Sequence, residues 1–142
     1  MCLCCQHDNI KIQLDALTLE LNGALDAFVT EMKAQGVWND ITIVMVSEFA
    51  RTMVGNTGIG SDHAWGGNYF IAGGEVRGKR ILGDYPNILS EDGPLVFEPG
   101  IVIPTLPWDS LWNSVAQWFG ITSGDVSTLF CFHNIICFSR CY

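Results

Sequence analysis

The strongest constraint in this sequence is a helical stripe that leads directly into a strand-forming run. Large apolar residues stand at Leu14, Leu17, Leu21, Leu25, Phe28 and Met32, at steps of 3, 4, 4, 3 and 4. Such steps keep one face of a 3.6-residue helix apolar, while Asp15, Glu20, Asp26, Glu31 and Lys33 occupy the exposed positions. Gly36, after Gln35, supplies the left-handed residue at which such a helix stops, and Gly23 weakens its middle by up to about 1 kcal/mol relative to alanine. An Asn39-Asp40 turn follows. Residues 41–47 are then β-branched and apolar without clean alternation, the pattern of a central strand buried on both faces. Helix, short turn and buried strand make half of a βαβ unit, so the expected class is α/β.

Residues 48–68 hold Gly55, Gly58, Gly60, Gly66 and Gly67 and read as one long loop, a length that usually signals function rather than connection. Residues 68–72 read as a short strand ending at Gly73-Gly74, and residues 75–82 as a strand or hairpin arm bent at Gly78. Between Gly83 and Pro104 the chain is irregular, with two short apolar runs at 95–97 and 101–103. Pro107 suits the first turn of a second helix, in which Leu111, Trp112, Val115, Trp118 and Phe119 recur at helical spacing as far as Gly120. The tryptophans read as core, with Trp65 able to wall a pocket. Residues 123–130 read as a shorter turn and 131–138 as strand or coil.

Charge removes one class of function. Fifteen acidic residues against seven basic ones give a net charge of −8, and no Lys/Arg run exists to track a nucleic-acid backbone. An anionic substrate would need a metal or a placed arginine. Charged residues are 15% of the chain, where about 25% is usual, so apolar surface exceeds what a small domain normally solubilises. The chain therefore reads as part of something larger, with a partner chain covering apolar surface. The longest uncharged stretches, residues 110–124 and 126–139, are too short and too polar for a membrane span, and the N-terminus lacks a signal-peptide pattern. Cys2, Cys4, Cys5, Cys131, Cys137 and Cys141 crowd the two ends without paired CxxC spacing. They read as terminal disulfides or free thiols, or with His7 and His133 as a zinc site if the ends met.

The informative stretch is Ser47-Glu48-Phe49-Ala50-Arg51-Thr52 at the end of the expected strand, followed by Asp62-His63. Open α/β sheets bind ligands at that edge. A carboxylate, a guanidinium and an Asp-His pair in a glycine-rich loop form the mixed oxygen and nitrogen set that divalent ions accept. Arg51 offers a bidentate fork for phosphate or sulfate oxygens. Adjacent Asp and His point to opposite faces of a regular strand, so joint ligation needs an irregular backbone. The plainer alternative is that Asp62 caps a turn, His63 packs and Glu48 pairs with Arg51 three residues on. Arg77, Lys79 and Arg80 read as a solvated hairpin face or an anion contact.

At these residues a resemblance becomes usable. The order Ser47-Glu48-Phe49-Ala50-Arg51-Thr52, Gly60-Ser61-Asp62-His63-Ala64-Trp65-Gly66-Gly67 and Gly73-Gly74-Glu75-Val76-Arg77-Gly78 resembles an uncharacterised family of sulfatase-like bacterial proteins, domain of unknown function 1501. Its members typically show SEFGRT, GTDHGWGG and a third glycine-valine motif, then WFG before an acidic turn, and are often exported through the twin-arginine route. Ala50 and Ala64 stand where glycine is usual, and Lys79 departs from the third motif. The likeness spans residues 14–130, leaving 1–13 and the Cys-rich tail 131–142 off pattern.

The family is similar to the alkaline phosphatase and sulfatase superfamily. That resemblance implies the C-terminal part of an α/β/α sandwich with a mostly parallel sheet and irregular loops. It implies Asp62 and His63 as ligands of a divalent metal (zinc, manganese, magnesium or calcium), Glu48 as a further acidic ligand, and Arg51 as a substrate or catalytic residue. The substrate implied is a small anionic phosphate or sulfate ester. The part of the family that carries the nucleophile has no counterpart here, so the chain reads as a fragment, inactive alone, with His7-Asp8 a candidate remnant of an upstream Asp-x-His motif. The other class of reading is a non-catalytic binding or secretion-related protein that retains the fold; a Cys-tailed interaction domain is the third.

Overall fold

The leucine stripe folds into helix α1, Ile10–Ala34, in the computed structural model, which describes residues 7–88, 90, 92–97 and 100–122. The helix begins four residues earlier than the stripe, after Asn9 in a left-handed conformation (φ 46°). It ends as Gly36 predicts. Gly36 takes φ 75°, its N–H donates to the Lys33 carbonyl at 3.0 Å, and the Val37 N–H reaches back to Met32 at 3.1 Å. Those two bonds are the Schellman closure, which satisfies carbonyls the helix leaves open. None of the helix residues is buried, so its stripe is only half covered.

The described chain divides into two units. One gathers α1 with residues Val46–Asn68 and Pro86–Ile103. It contains strands β2 (Ala50–Gly55) and β3 (Ser61–Ala64), which pair antiparallel. It also contains β5 (Val96–Phe97) and β6 (Ile101–Val102), the two short runs expected from sequence, again antiparallel. Gly100, directly before β6, meets β2, with the Met53 N–H donating to the Gly100 carbonyl at 2.9 Å. Gly100 has φ 88°, and a side chain there would lie 2.8 Å from the Val54 backbone nitrogen, so only glycine fits.

The other unit contains β1 (Thr42–Met45), β4 (Phe70–Gly73) and helix α2 (Trp108–Trp118). β1 and β4 pair antiparallel, with Thr42 opposite Gly73 and Met45 opposite Phe70. Leu111 of α2 is the buried centre, packed by Val44, Ile71, Val76, Val115 and Trp118. Pro107 caps the helix rather than entering its first turn, and Gly120 (φ 90°) closes it with a second Schellman pair to Gln117 and Ala116.

Several expectations need correction. The class is mixed α and β, but every described strand pair is antiparallel, so the mostly parallel sheet is not the arrangement of these residues. The connections decide this: β2–β3 and β5–β6 are joined by turns far too short for a parallel crossover. Residues 41–47 yield only the four-residue β1, half-buried along its length, and among the described residues β4 alone pairs with it. Residues 48–68 are not one loop, since β2 and β3 occupy much of them. Residues 75–82 are irregular apart from an isolated bridge at Val76, with Gly78 bonded back to Val76 and Arg77, Lys79 and Arg80 exposed. Of the tryptophans read as core, Trp118 does pack on Leu111 and Trp38 is half-buried, but Trp108 and Trp112 are exposed, as are Trp65 and Phe119. No described helix is long and apolar enough to cross a membrane. The terminal cysteines, His133 and the readings for residues 123–142 lie outside the described residues.

Candidate functional site

The site is built on a defect in the β2–β3 pair. Ala50 faces Ala64 and Arg51 faces His63, but the next pair is Gly55 with Ser61. Three residues of β2 thus oppose the single residue Asp62, a bulge that bends the strand and re-aims its neighbours. Thr52 is buried and holds the bulge together. Its hydroxyl accepts the Asp62 backbone N–H at 3.1 Å and donates to the Val54 carbonyl at 2.9 Å. Arg51 closes the same region by donating from Nη1 to the Ser61 carbonyl at 2.7 Å. This is the irregular backbone that joint use of Asp62 and His63 requires.

The turn joining the two strands is set by Asn56. Its side-chain oxygen accepts the N–H groups of Gly58 and Gly60, each at 3.0 Å, and its amide donates to Asp62 Oδ1 at 2.9 Å. One side chain therefore shapes the turn and anchors the carboxylate. The turn also receives the segment before α1. Asn9 N–H donates to the Gly58 carbonyl at 3.0 Å and Ile10 N–H to Ile59 at 3.2 Å, with Asp8 bridged to Ile59. Gly58 is required for this approach: a side chain there would run into the Asp8 carboxylate and lie 2.7 Å from the His7 carbonyl. Ile59 adopts φ 58°, an uncommon conformation for a β-branched residue.

Docking of that segment delivers His7 into the cluster. Its Nδ1 lies 3.2 Å from Asp62 Oδ1, its Nε2 3.1 Å from His63 Nε2, and Arg51 Nη1 stands 3.4 Å from the same His7 Nε2. The Phe49 ring stacks on His63 at 3.8 Å between centroids, fixing the ring plane, and the Arg51 guanidinium lies 5.2 Å from the Phe49 ring. The Asn56 hydrogen bond, then that from His7, hold the Asp62 carboxyl below its ordinary value; desolvation opposes them, and the His7 and Arg51 charges add lesser lowering effects. The side chains of His7 and Asp62 remain about half exposed, so the cluster is open to solutes. On its other side His63 borders an open apolar groove of about 580 Å³, walled by Trp65, Phe97, Ile101 and Ile103.

Of the four residues singled out from sequence, the structure brings Arg51, Asp62 and His63 together. Glu48 is exposed, and among the described residues no hydrogen bond or ion pair ties it to Arg51, Asp62 or His63. His63 packs on Phe49, while the turn N–H groups are capped by Asn56, which in turn donates its amide to Asp62. His7 enters the site on Asp62 and His63, a role the sequence signalled only through His7-Asp8. Asn56, Thr52 and Phe49 were not foreseen; the Asn-x-Gly-x-Gly spacing of 56–60 is the signal that marks the first. Chemically the cluster offers two imidazoles, a carboxylate and a guanidinium, a set that can take up a cation and an oxyanion side by side. Among the described residues no three His, Cys, Asp or Glu side chains already converge as a metal cage.

No curated protein and no solved structure matches this chain. Residues 6–95 match the family described as Protein of unknown function (DUF1501), a span that takes in His7, the bulged strand pair and Asp62-His63. The chain belongs to that family.

Proposed function

We propose that this chain carries part of the metal-binding and anion-binding site of a hydrolase acting on phosphate or sulfate esters, of the sulfatase and alkaline phosphatase type. The observation that carries the reading is the meeting of His7 with Arg51, Asp62 and His63, which lie 44 to 56 positions away along the chain, at 3.1 to 3.4 Å. The donor chemistry fits a divalent ion, since imidazole nitrogen and carboxylate oxygen are exposed at one place. A bound ion there supplies a Lewis acid for the ester oxygen. Arg51 presents a fixed positive charge beside the imidazoles and binds an anionic oxygen, stabilising charge as it develops. Phe49 and the Thr52-held bulge keep His63 and Asp62 in place without rearrangement. Glu48 has no part in this reading. The ordered motifs support taking the chain as the C-terminal portion of a sulfatase-like α/β/α domain, whose parallel strands would lie outside the described pairs.

The test is metal content by plasma mass spectrometry after dialysis against trace zinc and manganese, comparing wild type with Asp62→Ala and His63→Ala. Near-stoichiometric metal, reduced in both variants, is the expected result. Folded wild type without metal would sink the reading. Because the chain carries only part of the site, turnover is read after the nucleophile-bearing portion is restored; a loaded protein that then hydrolyses neither an aryl phosphate nor an aryl sulfate would favour the non-catalytic binding protein instead.

A further inference from the structure

We propose that the exposed tip at residues 77–82 is a processing site, at which an endoprotease with an acidic cleft hydrolyses the Arg80–Ile81 peptide bond and leaves a two-piece protein that keeps its fold. Three of the chain's seven basic residues stand within four positions there, in the order Arg77-Gly78-Lys79-Arg80. Counted back from the Arg80–Ile81 bond they hold the first, second and fourth places, so a carboxylate-lined cleft reads three cations at once. The rest of this acidic chain offers no second run of that kind. Water adds across the bond, leaving a carboxylate on Arg80 and an amine on Ile81, and no other reactant is consumed.

The fold presents this run and braces it on both sides. Before it, Val76 packs on Leu111, and the Val76 N–H donates to the Gly73 carbonyl at 3.3 Å. After it, Gly83 takes φ 86° at a place where a side chain would run into Leu106, and the Thr105 hydroxyl donates to the Asp84 carbonyl at 2.8 Å. Between these anchors Gly78 has open space around it, and Arg77, Lys79, Arg80, Ile81 and Leu82 are all exposed, Ile81 by 84%. Among the described residues no backbone hydrogen bond is made by residues 79–82. A protease takes its substrate as an extended strand. Lys79, at φ 60°, lies in the left-handed region that lysine disfavours, so extension there relieves strain. Lys11 and Lys33 lie in α1, and Arg51 lies in β2 bonded to the Ser61 carbonyl; each must first leave a hydrogen-bonded element.

The cut chain holds together because both units straddle the bond. In one, the Met53 and Gly66 N–H groups of the first piece donate to the Gly100 and Val102 carbonyls of the second, at 2.9 and 2.8 Å. In the other, Leu111 of the second piece packs on Val44, Ile71 and Val76 of the first. His7, Arg51, Asp62 and His63 all precede the bond, so the cut does not divide their cluster.

The experiment incubates the full chain with a subtilisin-type endoprotease of paired-basic specificity and, separately, with limiting trypsin, and reads the products by intact mass. With the first enzyme one early cut is expected, giving residues 1–80 and a second piece that begins at Ile81. The two pieces should elute together from native gel filtration and separate only in denaturant. Trypsin should also open the chain first within residues 77–80. Arg80→Gln should abolish the cut by the first enzyme. Arg77→Ala should slow that enzyme about 10-fold or more while leaving trypsin, which reads one cation, unchanged. Both side chains are exposed, and circular dichroism matching wild type shows that the variants are folded. A folded chain that resists the first enzyme overturns the assignment, as does an Arg77→Ala variant cut as fast as wild type. So does a first cut at Lys11, Lys33 or Arg51, or a rate that climbs with urea in step with global unfolding. Pieces that part on native gel filtration overturn the two-piece form.

Discussion

Asn56 joins turn geometry to site electrostatics through one side chain. Its oxygen caps the N–H groups of Gly58 and Gly60, and its amide donates to the Asp62 carboxylate. A hydrogen bond to the charged form favours that form, which is why Asn56 is the leading cause of the lowered Asp62 pKa. The sign of the linkage follows. The folded value lies below the ordinary 3.8, so the stabilisation is present above the ordinary value and is lost as pH falls through the depressed one. In Asn56→Ala the Asp62 carboxyl should titrate closer to 3.8, read from its 13C shift between pH 2 and 6. An unmoved titration would mean that His7 and Arg51, not Asn56, hold the charge. The sequence marked Asp62 and His63 through their place in a glycine-rich stretch and the ordered motifs, while leaving a binding role and a structural one both open. His7 was marked only by the His7-Asp8 pair; its partners were not legible, because the backbone bonds to Gly58 and Ile59 that bring it to positions 55 and 56 residues away are visible only in three dimensions.

At the scale of elements, the bulge between β2 and β3 decides which way Asp62 points. Two backbone groups inside it, the Asp62 N–H and the Val54 carbonyl, depend on the buried Thr52 hydroxyl. Thr52→Val keeps the shape and removes the hydroxyl, leaving a donor and an acceptor without that partner. The expected cost is about 1–3 kcal/mol, seen as a lower urea midpoint at unchanged slope. The Asp62 and His63 amides should lose hydrogen-exchange protection before the Leu111 region does, since the damage is local to one unit. A valine variant as stable as wild type would show that the bulge is held by something other than this hydroxyl. The helices were read well from sequence because apolar spacing and a terminal glycine act within one turn, and both Gly36 and Gly120 take positive φ as their positions predict. The strands were read less well. Their pairing depends on partners remote in sequence, and an unalternating apolar run such as 41–47 does not reveal that β1 pairs antiparallel with β4.

The whole molecule sets a small charge reserve against much exposed apolar surface. Only Ala50 and Leu111 are buried hydrophobic residues among those described, while Trp65, Phe97, Ile12 and Leu19 are 66 to 75% exposed. α1 contributes no buried residue to a core. Apolar exposure of this kind drives association, and what opposes it is the charge of −8, far from the pI of about 4.5 at neutral pH. That opposition is electrostatic and therefore screened, with a Debye length of about 30 Å at 0.01 M salt and about 3 Å at 1 M. Sedimentation velocity at pH 7 should show the chain smallest at 0.01 M salt and increasingly associated toward 1 M. At fixed low salt, lowering the pH toward 4.5 should have the same effect by removing the charge itself. The two routes separate the causes: association that follows salt and pH together comes from apolar faces held apart by charge, whereas association that weakens with salt would come from ion pairs between copies. A chain that stays monomeric under both treatments would show that its exposed apolar residues do not form an adhesive surface, and that no partner is needed to cover them.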